Sequence, residues 1–244
     1  MDTEQRALFA TAVEAATAKV SGAMLDAALD DIGWRDALDV DAQTAVSVLF
    51  EAQGQSNATS SALEAVLAHA GATGVVARDP SGMDPHMKLV ECAGPPDAVA
   101  AGQRALAHEL IGASRAMLEL ARVHALERIQ FDVPIASFQA VRHRLAEALV
   151  AIEAADGAVA ASWEDGTPFA ASIAKAIAGR SARTVARHSQ QVLAGIGFTA
   201  EHPFHRYFRR TRVLDHLLGD SRTLTRELGE YLLSARTLPP VLPL

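Results

Sequence analysis

Residues 97–127 read DAVAAGQRALAHELIGASRAMLELARVHALE. The run holds no proline and is dominated by alanine and leucine, so it predicts one long amphipathic helix from Asp97 to about Glu127, about 45 Å from end to end. Pro134 interrupts the pattern, and a second helix is expected over roughly Ser137–Asp165, with Gly157 inside it. A third starts at Thr167-Pro168, where threonine suits the N-cap and proline the first helical position. It is expected to run to about Leu193 and to close at Ala194-Gly-Ile-Gly-Phe. A shorter helix near Phe204–Leu217, a break at Gly219 and a last helix near Ser221–Ser234 follow. Long helices with short joints predict an antiparallel, four-helix-type bundle over residues 98–235.

Upstream, Leu8, Ala12, Val13, Ala16 and Val20 recur on one face and predict a helix over residues 3–21. A second apolar stretch, Met24, Leu25, Ala28, Leu29 and Ile32, is expected to end at Gly33. Helical patterns return at Ala42–Gln53 and Ser60–Ala70, so residues 1–70 are expected to form a helical unit. Residues 71–97 differ in kind, with Gly71, Gly74, Pro80, Gly82, Pro85, Gly94, Pro95 and Pro96. Strand candidates Thr73–Ala77 and Lys88–Cys92 flank the turn-like Asp79–Pro85, which predicts either a hairpin or an irregular linker. Pro239, Pro240 and Pro243 give residues 236–244 the character of an extended tail. The expected class is therefore all-α, with one small interruption.

Composition agrees. Half of the 244 residues are hydrophobic but only 5% are aromatic, which suits close-packed helices and argues against an aromatic-rich β-sandwich. The single cysteine, Cys92, excludes an internal disulfide framework and a cysteine-rich zinc site. No apolar run is long enough to span a membrane, and residues 1–20 lack a basic leader pattern, so a cytoplasmic location is expected. The net charge of −7 is unevenly spread. Residues 1–100 hold five Lys/Arg against fifteen Asp/Glu, and residues 101–244 hold seventeen against fourteen. The split is open to three readings: docking between the halves, an anionic ligand on the second half, or solvated helix faces.

No local catalytic motif is present: no G-x-S-x-G, no H-E-x-x-H, no Walker A, and no glycine fingerprint between strand and helix. His202, His205 and His216 lack the carboxylate pattern of a metal site in a bundle. Arg206, Arg209, Arg210 and Arg212 interleave with Tyr207 and Phe208, as in phosphate or nucleic-acid sites. Asp215, Asp220, Glu227 and Glu230 follow closely, so ion pairs are the expected role and nucleic acid is not an expected partner. In Gln190-Gln191-Val-Leu-Ala-Gly195-Ile-Gly197-Phe198 the glycines suit either left-handed caps or close approach of a nucleotide.

Three blocks carry a resemblance: Ala125-Leu-Glu-Arg-Ile-Gln-Phe-Asp-Val-Pro-Ile, Phe138-Gln-Ala-Val-Arg-His-Arg-Leu-Ala, and Gln191-Val-Leu-Ala-Gly-Ile-Gly-Phe-Thr-Ala-Glu-His-Pro. In this order and spacing they resemble the C-terminal domain of the flavin-dependent acyl-CoA dehydrogenases, over about residues 98–235. Glu4-Gln5-Arg6 and Leu29-Asp-Asp-Ile-Gly-Trp34 resemble that family's N-terminal helical domain more loosely. The resemblance implies an oligomer holding FAD across a subunit interface. It assigns Arg128, Gln130 and Phe131 to contacts with the FAD of a neighbouring subunit, and Gln191 and Gly195 to the ADP portion of the same cofactor. A forked cation suits a pyrophosphate, and a glycine admits it closely. Asp132 stands where the family usually has glycine.

Two larger departures follow. The family's β domain of about a hundred residues between the helical parts is reduced here to residues 71–97. The carboxylate that removes the substrate's α-proton, while the flavin accepts the β-hydride, is also missing. Leu218 falls at the usual glutamate position and Gly102 near the alternative one. Asp215, His216, Asp220 and Glu109 are the nearby substitutes. The resemblance thus implies a subunit of a heteromeric acyl-CoA dehydrogenase of lipid or steroid catabolism, active only with a base-bearing partner. The alternatives are a flavin-free helical scaffold or binding protein, and a dehydrogenase with an unusual base. The implied partners are a homologous full-length chain, further copies of itself in a dimer or tetramer, an acyl-CoA, and electron-transfer flavoprotein if reduced flavin forms.

Overall fold

The computed structural model describes residues 1–73, 75–78, 89–92 and 94–236. Five helices come first: α1 (Thr3–Lys19), α2 (Ala23–Ile32), α3 (Trp34–Val40), α4 (Ala42–Ser56) and α5 (Ala62–His69). Strands β1 (Val75–Arg78) and β2 (Leu89–Cys92) pair antiparallel with Val75 opposite Cys92, so the two strand candidates form a two-stranded ribbon. The turn segment Asp79–Pro85 and the proline tail beyond Arg236 lie outside the described residues. The second half contains α6 (Pro96–Glu127), the short pair β3 (Ile129–Gln130) and β4 (Val133–Pro134), α7 (Gln139–Asp165), α8 (Pro168–Leu193), α9 (Phe204–His216) and α10 (Ser221–Ala235).

Local chemistry explains most ends. Asp2 accepts from the Gln5 amide while Gln5 accepts from the Asp2 amide, a complete capping box that starts α1. Thr167 accepts from the Ala170 amide at the start of α8, with Pro168 in the first turn as expected. Gly33, at φ 75°, ends α2 and opens α3, which has no counterpart in the sequence reading. Its seven residues are too short to display a period. It is fixed instead by Trp34, buried, whose indole N–H donates to the Ala45 carbonyl at 2.9 Å. Helix α1 stops two residues before the expected end, because Val20 is extended and Gly22 lies at positive φ.

Helices α6, α7 and α8 pack antiparallel in turn, with α9 against α6 and α8, and α10 against α8. On the opposite side, α4 and α5 pack on α6. Helix α6 is therefore enclosed rather than amphipathic over much of its length: Gly102 to Ser114 are all buried. One apolar cluster runs from Val13 through Leu49, Leu106 and Ile152 to Leu214 and joins both halves.

The crossing of α4 and α6 is a backbone contact. A Cβ on Gly54 would come closer than 3.0 Å to the Glu109 carbonyl oxygen, and one on Gly112 would do the same to the Glu51 carbonyl oxygen. Both glycines are needed for this approach. Polar residues in the enclosed part of α6 find partners on every neighbour. Arg104 donates to the Ser162 and Thr167 carbonyls and lies over the Trp163 ring, 5.1 Å from its centre. His108 Nδ1 lies 3.0 Å from Glu51, and its Nε2 accepts from the Trp163 indole at 3.1 Å, which fixes the neutral tautomer with the proton on Nδ1. Burial alone would raise the Glu51 carboxyl, but the bond from His108 and the charge of Arg115 outweigh it and hold Glu51 below the ordinary carboxylate range.

Candidate functional site

Two residues 116 positions apart in sequence meet on the α6 face beneath the turn between α9 and α10. That turn is Leu217-Leu218-Gly219, with Leu218 at φ 53° and Gly219 at φ 104°. A Cβ on Gly102 would lie 2.5 Å from Leu218 Cδ1 and 2.8 Å from Leu67 Cδ2. The two positions where the resemblance expects a base are thus packed against each other, one bare and the other aliphatic. Gln103 Nε2 holds the Leu218 carbonyl at 3.0 Å, and Ser172 donates to Gln103 Oε1 at 3.0 Å. This turn is fixed in place, but it carries no proton acceptor.

Three of the four substitutes are committed elsewhere and the fourth faces solvent. Glu109 is buried against Arg210. Asp215 pairs with Arg183 at 2.8 Å and accepts from the Ser221 amide and hydroxyl, with its carboxylate pressed onto Gly179 of α8. Asp220 caps α10 through the Arg222 and Thr223 amides. Hydrogen bonding from Thr223, above all, holds its pKa down to about 2. His216 is exposed.

One residue that holds this turn was not singled out from the sequence. Lys175 of α8 is fully buried, and its ammonium donates to the Asp215 carbonyl at 3.0 Å and the Gly219 carbonyl at 3.2 Å. It ties α8 to both ends of the Leu218 turn. The signal was present, since Lys175 shares a helical face with buried Ala171, Ala174, Ala178 and Ala182. Burial pushes its pKa from 10.5 down to about 8. The folded state therefore binds fewer protons than the unfolded state between those values, and stability rises with pH there. Between pH 8 and 10.5 the chain should gain on the order of 3 kcal/mol relative to Lys175→Met. Paired urea denaturation curves across this window check it, and parallel pH profiles of the two proteins would refute it.

The residues assigned to the cofactor lie at one end of the bundle. Antiparallel succession brings the end of α6, the start of α7 and the end of α8 together. His124 agrees: burial, His202 and Arg128 together hold its imidazole below the ordinary range, so both segments are close to it. Arg128 follows α6 directly and leads into the β3–β4 hairpin, where Phe131 and Asp132 sit at φ 54° and 64°. Two positive φ values are what a tight hairpin of this twist requires. Asp132 thus keeps a backbone conformation that glycine adopts freely and aspartate tolerates. Phe131 is 86% exposed and meets Phe138 edge-on, 6.1 Å between centres.

At the end of α8, neither Gly195 nor Gly197 has positive φ, so the left-handed-cap reading of these glycines is corrected. Ala194 caps the helix at φ 52°, ψ −133°, a region that costs a residue with a Cβ about 1–3 kcal/mol. A Cβ on Gly195 would meet nothing within 4 Å, so this chain by itself does not require glycine there. The Arg128 and Gln191 side chains are exposed and make no hydrogen bond or ion pair among the described residues. Gln130 Nε2 donates to the Ile129 carbonyl at 2.9 Å. Around them, Leu126, Ile129, Phe131 and Phe198 are exposed apolar side chains. Of the four arginines near Tyr207, Arg210 is an internal bridge rather than a surface cation. No helix of the described residues is long and apolar enough to cross a membrane.

Comparison with known proteins agrees with this architecture. The chain is 40% identical over 123 residues to the acyl-CoA dehydrogenase IpdE2 of Mycobacterium tuberculosis, a match covering 50% of this chain and 39% of that protein's length. In fold it is similar to a variant of the Tcur3481-Tcur3483 steroid ACAD, with a TM-score of 0.77 and 19% identity over 96% of this chain and 98% of the other. It is also similar to a chain of the ChsE4-ChsE5 complex from Mycobacterium tuberculosis, with a TM-score of 0.76 and 18% identity over 98% and 99% of the two chains. At these identities the structural likeness concerns the fold. The description "Acyl-CoA dehydrogenase, C-terminal domain" fits residues 99–233, more than half of the sequence, and by that match the chain belongs to the acyl-CoA dehydrogenase family.

Proposed function

We propose that this chain is the base-less subunit of a heteromeric acyl-CoA dehydrogenase of lipid or steroid catabolism, completing a shared FAD site while a homologous chain supplies the proton-accepting carboxylate. The observation that carries the reading is the packing of Leu218 on Gly102. Both positions at which a base would stand are filled without an acceptor, and three of the nearby acids hold the fold together.

The family generally binds FAD, and the exposed groups suit it. Arg128 offers a forked cation to a diphosphate, Gln130 and Gln191 offer amides, and Gly195 leaves its backbone open to close approach. When bound, FAD supplies a hydride acceptor. The part of this chain is to bind and orient the cofactor and to close the site against water. Leu126, Ile129, Phe131 and Phe198 beside these donors favour a protein partner over solvent. The name of the ChsE4-ChsE5 complex describes a two-chain assembly of similar fold.

Co-expression with a full-length homologous chain tests the reading. The mixed preparation should be yellow and oxidise an acyl-CoA, and this chain alone should do neither. Replacing the partner's base carboxylate with its amide should lower the rate at least about 100-fold, while His216→Gln in this chain leaves it unchanged. Full dehydrogenase activity from this chain alone would sink the proposal. A colourless, stable complex would instead favour the flavin-free scaffold, which Asp132 beside the diphosphate position and the shortened stretch 71–97 motivate.

A further inference from the structure

The packing of α7 on α8 encloses a histidine that the proposed subunit role does not use. His188 is 2% exposed. Its Nδ1 lies 3.3 Å from Arg144 Nη1, and its Nε2 lies 3.2 Å from a Glu147 carboxylate oxygen. Arginine can only donate, so Nδ1 accepts, and the single proton of the neutral ring sits on Nε2 facing the carboxylate. The histidine is enclosed but its partners are not. The Arg144 and Glu147 side chains are 49% and 59% exposed, and Arg144 also lies 3.8 Å from Glu147.

We propose that His188 is a proton-operated latch between α7 and α8: the neutral ring holds Arg144, and a proton arriving on Nδ1 expels Arg144 to solvent and turns the Glu147 contact into an ion pair. A proton on Nδ1 would set two donors and two cations against each other across that 3.3 Å contact. Arg144, being half exposed, is the group that can leave. The charges acting on the ring are Glu147 and Arg144 of α7 and Arg187 of α8 itself. Counting along α6 from the Gln103–Ser172 contact, Glu119, Arg122 and His124 lie at this level. Glu119 and Arg122 are bonded to each other, and His124 answers to His202, Arg128 and Glu127. Asp215 of α9 and Ser221 of α10 press on Gly179, nine residues before His188 and therefore on the opposite face of α8. Burial above all, helped by Arg187 and Arg144 and opposed by Glu147, holds the imidazole below its ordinary range. The latch is thus closed at neutral pH and opens on acidification. Gln191 follows within one turn of α8, so the release of Arg144 takes place beside the proposed cofactor end.

Nitrogen NMR of the imidazole rings of the full chain, titrated from about pH 8 to about pH 5, tests the latch. At neutral pH His188 should show a bare Nδ1 and a protonated Nε2. Arg144→Met removes the cation and the donor and should raise the His188 midpoint, whereas Glu147→Gln should lower it. Both substitutions change exposed side chains, so the variants keep the fold. Stability gives a second readout. As pH falls below 6.5 the unfolded histidine takes up a proton before the folded one does, so the unmodified chain loses stability there. Arg144→Met should lose less over the same range in paired urea denaturation curves. A proton on Nδ1 at neutral pH, or a midpoint that Arg144→Met leaves in place, would overturn the proposal. The readouts need neither flavin nor partner, so the latch stands or falls apart from the proposed subunit role.

Discussion

Gly112→Ala should destabilise the chain by about 3 kcal/mol, at the upper end of ordinary overpacking. The new methyl would meet the Glu51 carbonyl oxygen, its carbon and its Cα, all backbone of α4, so no side chain can swing aside to relieve it. The two helices must separate, and the buried stretch of α6 then loses packing along its length. Gly54→Ala presses the reciprocal position against Glu109 and Ala113 of α6 and should behave alike. Gly157→Ala is the control. It lies inside α7 with nothing within 4 Å of the added methyl, so the higher helix propensity of alanine should stabilise by about 0.5–1 kcal/mol. Urea unfolding of the three variants decides the matter. A change of the same sign for Gly112→Ala and Gly157→Ala would show that the helix crossing is not the close contact described.

Arg210→Met should cost about 3–5 kcal/mol, because it strands the Glu109 carboxylate in the interior with its principal cation gone. The figure measures the damage of removing that cation from a buried carboxylate, not the net worth of the pair, whose formation also required two desolvations. Adding Glu109→Gln to Arg210→Met should therefore recover part of the loss, even though a second native group has been removed. Chemical denaturation of the two single variants and the double variant gives the coupling directly. If the double variant is less stable than Arg210→Met by the full cost of Glu109→Gln alone, the two residues act independently and the bridge has been misread.

The long elements were legible because periodicity, proline and caps agree in them. Thr167-Pro168 marks the start of α8 and Gly33 the end of α2, and each owes its place to contacts within a few residues. Helix α3 was not legible, since Trp34 is held by the Ala45 carbonyl and no period fits seven residues. The enclosure of α6 was also hidden, because Gln103, Arg104, His108 and Glu109 look like one polar face. Their partners Leu218, Ser162, Trp163 and Arg210 lie far along the chain. Lys175 could have been suspected from the alanines that share its face, but what its ammonium does is set by the distant carbonyls of Asp215 and Gly219. The residue types at the two expected base positions, Leu218 and Gly102, could be read directly, though not that the two lie against each other.

The contacts that close α9 over the end of α4 bear on how the chain folds. Tyr207 donates to the Gln55 carbonyl at 2.7 Å and Arg210 to that of Ala58, each joining residues 152 apart. Most helical proteins fold quickly because their contacts are local, and pairings this distant slow the search. The α7–α8 pairing, joined by two residues, needs little chain closure, whereas seating α9 requires nearly the whole molecule to be in place. The Glu109–Arg210 bridge joins α6 to α9, so it comes into being only at that final closure and is lost with the first detachment of α9.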